Sequence, residues 1–149
     1  ATPDTATLEN YAPLVGPERA ARAQPFKQFD DAGAMQSFGS DYPVYPMDPL
    51  LGIYTAVTRQ TRDGKPEGGW YPHNRISLEA ALLHYTRDAA HASFEETRTG
   101  TISAGKFADF VVLSRDIFDG PPQQLLDTKV LLTVLRGRET WRAPEFGGR

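Results

Sequence analysis

The 149-residue sequence contains no cysteine. Disulfides, thiolate zinc sites and cysteine nucleophiles are thereby excluded, and the redox compartment stays open. It also has no apolar run approaching the ~20 residues that span a bilayer. Its first residues, ATPDTATLEN, carry neither the basic nor the apolar segment of a secretory leader. A cytoplasmic protein without a membrane partner is the expectation. An excess of one charge is missing too: 16 Lys and Arg against 19 Asp and Glu give a net charge of −3, with no like-charged run longer than a pair. That distribution points to neither nucleic acid nor an anionic lipid surface.

Several chemical signatures are absent as well. Neither G-x-G-x-x-G nor G-x-x-x-x-G-K-[ST] occurs, so no nucleotide site is indicated, and Gly39-Ser40-Asp41 is not the G-x-S-x-G elbow of a serine nucleophile. The three histidines, His73, His84 and His91, show neither H-x-H nor H-E-x-x-H spacing. His84 and His91 lie about 10.5 Å apart along one expected helix at 1.5 Å per residue, too far for one ion. Both read as surface or packing histidines.

What remains, 40% hydrophobic and 23% charged residues, fits an ordinary globular protein with a core. Pro17 before ERAARA predicts a short helix with proline in its first turn. Pro25 starts another, with Phe26 and Phe29 on one face and Gly33 as its stop. The run Met35-Gln36-Ser37-Phe38 then reads as a buried strand without neighbours in this chain. Asp48-Pro49 caps a helix over LLGIYTAVTRQT, whose buried face is Leu50, Ile53, Tyr54 and Val57. TRDGKPEGGWYPHNR is a long loop. Ser77 caps a single amphipathic helix, LEAALLHYTRDAAHASF, with Leu78, Ala81, Leu82, Tyr85 and Ala89 as its stripe. Beyond Gly100 the period changes: a turn at Ala104-Gly105, a β run over 107–113, a helical turn in PPQQLLDT, and a hairpin at Arg136-Gly137-Arg138. The shift near residue 99 divides the chain into 1–98 and 99–149.

Asp41 is the first candidate for chemistry. In α/β sheets reactive side chains collect at the carboxyl ends of strands, and Asp41 follows such an end. The plain alternative is that its side chain caps a turn, as aspartate often does. Tyr42 beside it, and Trp70 and His73 in the long loop, are candidate substrate contacts; packing or solvation explains loop residues of these types equally well.

The segments FGSDYPVYPMDPLLGIYTAVTR, RISLEAALLHYTRDAAHASFEE, GTISAGKFADFVVLSRD and VLLTVLRGRETW, in this order, resemble the C-terminal part of metal-dependent amidohydrolases of the YtcJ-like branch. The likeness spans roughly residues 17 to 141, and its most specific pieces are FGSDYPV and G-K-x-A-D-F-V-V-L. It implies an α/β fold: the last strand and following helices of a TIM-like (β/α) barrel over 1–98, and strands of a small flanking β-sandwich over 99–149. It also implies one or two divalent metals, usually zinc, at the barrel mouth. Asp41 matches the family's aspartate after the eighth strand, a metal ligand or a proton shuttle between the hydrolytic water and the leaving nitrogen. Gly105, Lys106, Ala108 and Asp109 match an architectural turn and strand.

The family's H-x-H pair and middle-strand ligands have no counterpart here, and its next histidine would fall just before Ala1. The expectation is therefore the end portion of a hydrolase cleaving a non-peptide, amide-type carbon–nitrogen bond of a small molecule, inactive alone. Its partner would be the missing N-terminal barrel portion or another copy of the chain. A non-catalytic remnant or interaction module of the same fold is the alternative.

Overall fold

The computed structural model describes residue 10 and residues 12–147. The helices that matter here among the described residues are α1 (Pro17–Ala21), α2 (Phe26–Asp31), α3 (Pro49–Thr58), α4 (Leu78–Tyr85) and α5 (Arg87–Ala92). Their starts follow local chemistry. Pro17 opens α1, and the Asp48 carboxylate accepts the Leu50 N–H at 3.0 Å at the head of α3. The Ser77 hydroxyl accepts the Ala80 N–H at 3.1 Å at the head of α4. Gly33, at φ 71°, ends the α2 turn by donating its N–H to the Asp30 carbonyl.

The core gathers around α3. Leu50, Ile53, Tyr54 and Ala56 are buried against Ile76, Ala81, Ile117 and Leu125, with Phe26, Phe38, Val57 and Tyr85 at the margin. Burying each large apolar side chain here contributes roughly 1.5–3 kcal/mol before entropy. Gly52 sits on the α4-facing side because a Cβ there would lie 1.9 Å from the Tyr85 hydroxyl. Ile117 and Leu125 come from the second half of the chain, so the segment around the 3-10 turn Pro122–Asp127 folds back onto α3.

Two features differ from the sequence expectation. The helix expected over 78–94 breaks at Thr86, whose φ of −121° and ψ of −84° separate α4 from α5. The Thr86 hydroxyl donates to the Leu82 carbonyl at 2.7 Å, a local bond that bends helices, and Gly100 comes up against the break. Residues 34–40 form neither helix nor strand and join no ladder, and Met35, expected to be buried, is 55% exposed. No described strand lies beside this segment; its backbone bonds to other elements run from Ala34 N–H to Phe29 O at 2.9 Å and from Phe38 N–H to His84 O at 3.1 Å.

A three-stranded antiparallel sheet in the order β1 (Phe110–Leu113), β2 (Val130–Leu135), β3 (Arg138–Arg142) completes the fold. The β2–β3 turn is Arg136-Gly137, both at positive φ (50° and 74°), as a two-residue type I′ hairpin requires. Asp109 secures that turn, its carboxylate accepting the Arg136 N–H at 2.6 Å, while Ala108 O accepts from Gly137 N–H at 3.0 Å. Lys106 donates to the Thr99 carbonyl at 3.1 Å. These bonds are the physical content of the G-K-x-A-D segment.

Candidate functional site

Asp41 opens the turn that follows residues 34–40. Its φ is 52°, a left-handed conformation that costs a non-glycine residue on the order of 1 kcal/mol, and aspartate tolerates it better than most. Its carbonyl closes the turn by accepting the Val44 N–H at 2.8 Å. The carboxylate accepts no hydrogen bond among the described residues, so it does not cap the turn. It is exposed, as is Tyr42, at 64%.

Behind this turn lies a hollow of about 20 Å³, the room of about one water, lined by Gly39, Ser40, Tyr45, Asp48, Leu51 and Tyr85, among others. Burial, and secondarily the Asp48 charge, push the Tyr85 phenol above its ordinary pKa of 10.0, so it stays a hydroxyl at neutral pH. A second, open cavity of about 460 Å³ runs along residues 34–39, between Phe26, Phe29, Met35, Phe38 and Ala56. Neither cavity has Asp41, Tyr42, Trp70 or His73 in its lining.

Trp70 and His73 lie together in the long loop. Tyr71 joins them, its ring 4.9 Å from Trp70 and 6.0 Å from His73. Trp70 is half-buried under the Arg59 guanidinium, which lies 5.2 Å over its ring and 5.5 Å over Phe26. Arg59 is buried, with φ 60° at the end of α3, and donates to the carbonyls of Trp70, Gln24 and Ala23 at 3.1, 3.3 and 3.4 Å. Burial lowers its pKa to about 10, which leaves it charged at neutral pH. Trp70 thus has a structural task. His73 is exposed on the 3-10 turn Pro72–Asn74.

A buried polar group spans two helices and reaches a third, and the sequence reading did not assemble it. His84 is buried between two carboxylates, Nδ1 to Asp88 at 2.7 Å and Nε2 to Asp30 at 2.9 Å. Arg87 donates to the other Asp88 oxygen at 2.7 Å. Burial pushes the Asp88 carboxyl up, but the bonds from Arg87 and His84 outweigh it and hold it below the ordinary value. The i, i+4 spacing of His84 and Asp88 was the available signal. Asp30 comes from another helix and left none. His91, by contrast, is exposed and lies 3.5 Å from Glu96.

Asp41 by itself cannot hold the ion that the resemblance implies. Among the described residues no three His, Asp or Glu side chains converge on a point suited to a metal. The facing atoms of Asp30, His84 and Asp88 are taken up by one another. The described residues do not make a metal centre.

The sequence profile of the amidohydrolase family matches residues 5–140. The chain is 36% identical to an N-substituted formamide deformylase of Arthrobacter pascens over 113 residues, which is 76% of this chain and 20% of that protein. It is 33% identical to the putative amidohydrolase YtcJ of Bacillus subtilis over 124 residues, covering 83% of this chain and 23% of the relative. The crystal structure of an amidohydrolase from Thermotoga maritima superimposes with a TM-score of 0.61 at 22% identity, over 80% of this chain and 26% of that one. This last likeness concerns the fold. The chain thus spans about a quarter or less of the length of these relatives, and on the family match it belongs to the amidohydrolase family.

Proposed function

We propose that this chain is the Asp41-bearing portion of a hydrolase that cleaves a non-peptide carbon–nitrogen bond in a small, amide-type molecule. The observation that carries the reading is the family match over residues 5–140. The formamide deformylase relative supports the bond type. Asp41 is given the acid/base role: its unpartnered carboxylate, held out by a left-handed turn, takes a proton from water and returns it to the departing nitrogen. Amidohydrolases generally use divalent metals. In this proposal the ion is zinc, Asp41 is at most one of its ligands, and the rest come from outside the described residues.

The finer parts of the proposal follow the same reading. Residues 1–98 end a TIM-like barrel and residues 99–149 join a β-sandwich. Tyr42, Trp70 and His73 face the substrate, with Trp70 doing so in addition to supporting Arg59. The protein works in the cytoplasm, with the missing N-terminal barrel portion or a second copy as its partner. Among the described residues no helix is long and apolar enough to cross a membrane.

A chimera tests the proposal. The matching part of the Arthrobacter pascens deformylase is replaced by this chain, and hydrolysis of N-substituted formamides is measured beside the isolated chain. Turnover by the chimera and none by the chain alone is the expected result. A folded chimera without turnover would leave the non-catalytic module standing instead, and turnover by the isolated chain would show that it holds a whole site.

A further inference from the structure

We propose that Asp30, His84 and Asp88 form a positioning unit that fixes the segment 36–38 and, through it, the turn presenting Asp41. The proposal deepens the hydrolase reading and rests on it for its kinetic part only.

The geometry runs from one end of the unit to the other. Arg87 and Asp88, on α5, hold one edge of the His84 ring. Asp30, at the end of α2, holds the opposite edge through Nε2. Each ring nitrogen lies within hydrogen-bond distance of a carboxylate oxygen, and the ring cannot turn without losing these contacts. The Asp30 oxygen that meets His84 also accepts from the Gln36 side-chain amide at 2.6 Å, and the same amide donates to the Phe26 carbonyl at 2.9 Å. Two residues on, Phe38 donates its N–H to the His84 carbonyl at 3.1 Å, and its ring lies 4.9 Å from the imidazole, 4.8 Å from Phe26 and 5.6 Å from Tyr85.

Segment 36–38 is therefore gripped twice, by Gln36 on Asp30 and by Phe38 on His84. Among the described residues it joins no ladder. Three residues beyond Phe38 the chain reaches Asp41 in its left-handed turn. The unit brings α2, α4 and α5 to bear on the one segment whose end carries the candidate acid/base. A carboxylate misplaced by about 1 Å can lose on the order of a hundredfold in rate, so fixing this segment bears on turnover.

Asp30 is the residue to change, because it is partly exposed at 21% and its loss leaves the core around α3 intact. In the isolated chain, Asp30→Ala is expected to speed hydrogen exchange at the Phe38 amide by about tenfold or more, while the amides of Ile53 and Tyr54 keep their protection. Asp30→Asn, which retains an acceptor oxygen, restores most of the Phe38 protection. Unchanged exchange at Phe38, or equal acceleration at all three amides, would overturn the unit as a local clamp. In the chimera, Asp30→Ala is expected to lower kcat by about tenfold or more at unchanged KM, with partial rescue by Asp30→Asn. If Phe38 exchange rises while kcat stays the same, the positioning claim is wrong and the hydrolase reading survives. An inactive unmutated chimera sinks the hydrolase reading instead, and the exchange measurement alone then decides whether the clamp exists.

Discussion

The two halves of the molecule are finished to different degrees. Around α3, Ile53, Tyr54, Ala56 and Ala81 are each at most 2% exposed, and the polar groups buried with them, Arg59, Asn74 and Asp88, all have hydrogen-bond partners. In the sheet, β3 is exposed along its whole length, with Trp141 at 48%, and Val111 of β1 and Leu135 of β2 are half open at 50% and 52%. One half has closed its core, whereas the other shows apolar side chains on a small sheet of a size that gains stability by covering a face. The boundary does not follow chain order. Ile117 and Leu125 lie after β1 in sequence and in the α3 core in space.

That contrast is most sharply broken by substitution on its two sides. Leu125→Ala is expected to cost about 2–5 kcal/mol, because the side chain is 1% exposed and leaves a cavity against α3. Trp141→Ala is expected to stay within about 0.5 kcal/mol in the isolated chain, as for an exposed site. Urea midpoints at constant m-value measure both. Similar losses at the two positions would mean that the sheet shares the core after all.

Glycines sharpen the same point at smaller scale. Gly69 and Gly137 both have left-handed backbone, at φ 81° and 74°. A Cβ at Gly69 would lie 2.4 Å from the Thr58 carbonyl oxygen, where α3 meets the long loop, whereas one at Gly137 meets nothing within 4 Å. Gly137→Ala should cost about 1 kcal/mol from backbone strain alone. Gly69→Ala should cost at least about twice that, since backbone must move as well. Equal costs would show that the loop yields freely.

The acid limb of stability is a gentler probe. The Asp88 carboxyl is held below its ordinary 3.8 in the folded chain, so it binds a proton less readily there than in the unfolded chain. Its contribution is full above the unfolded value and is lost as pH falls through the lowered one. Asp88→Asn should flatten that acid-side slope in urea titrations below about pH 4. An unchanged slope would place the acid sensitivity elsewhere.

What the sequence revealed, and what it hid, divides by range. The Asp48 and Ser77 caps, the proline start of α1 and the Arg136-Gly137 hairpin were legible because each is decided within a few residues. The break at Thr86 was hidden, since a good apolar stripe runs through it and the hydroxyl bond to Leu82 leaves no mark in the periodicity. Nothing in the sequence singled out Arg59. Its burial depends on carbonyls of residues 23 and 24 and the ring of Trp70, which only the fold brings together. The grip of Asp30 on His84 spans 54 residues and was invisible for the same reason. For Asp41 the sequence expected the end of a buried strand; the structure shows no strand there and adds a left-handed turn with an unpartnered carboxylate.

The central claim is that Asp41 acts on the proton in a site that other residues complete. The most direct measurement is kcat for formamide hydrolysis by the chimera with and without Asp41→Asn, a change that keeps shape and removes the acid/base. The account predicts a loss of about a hundredfold or more with the fold unaltered. Undiminished turnover by the chimera carrying Asp41→Asn would contradict it.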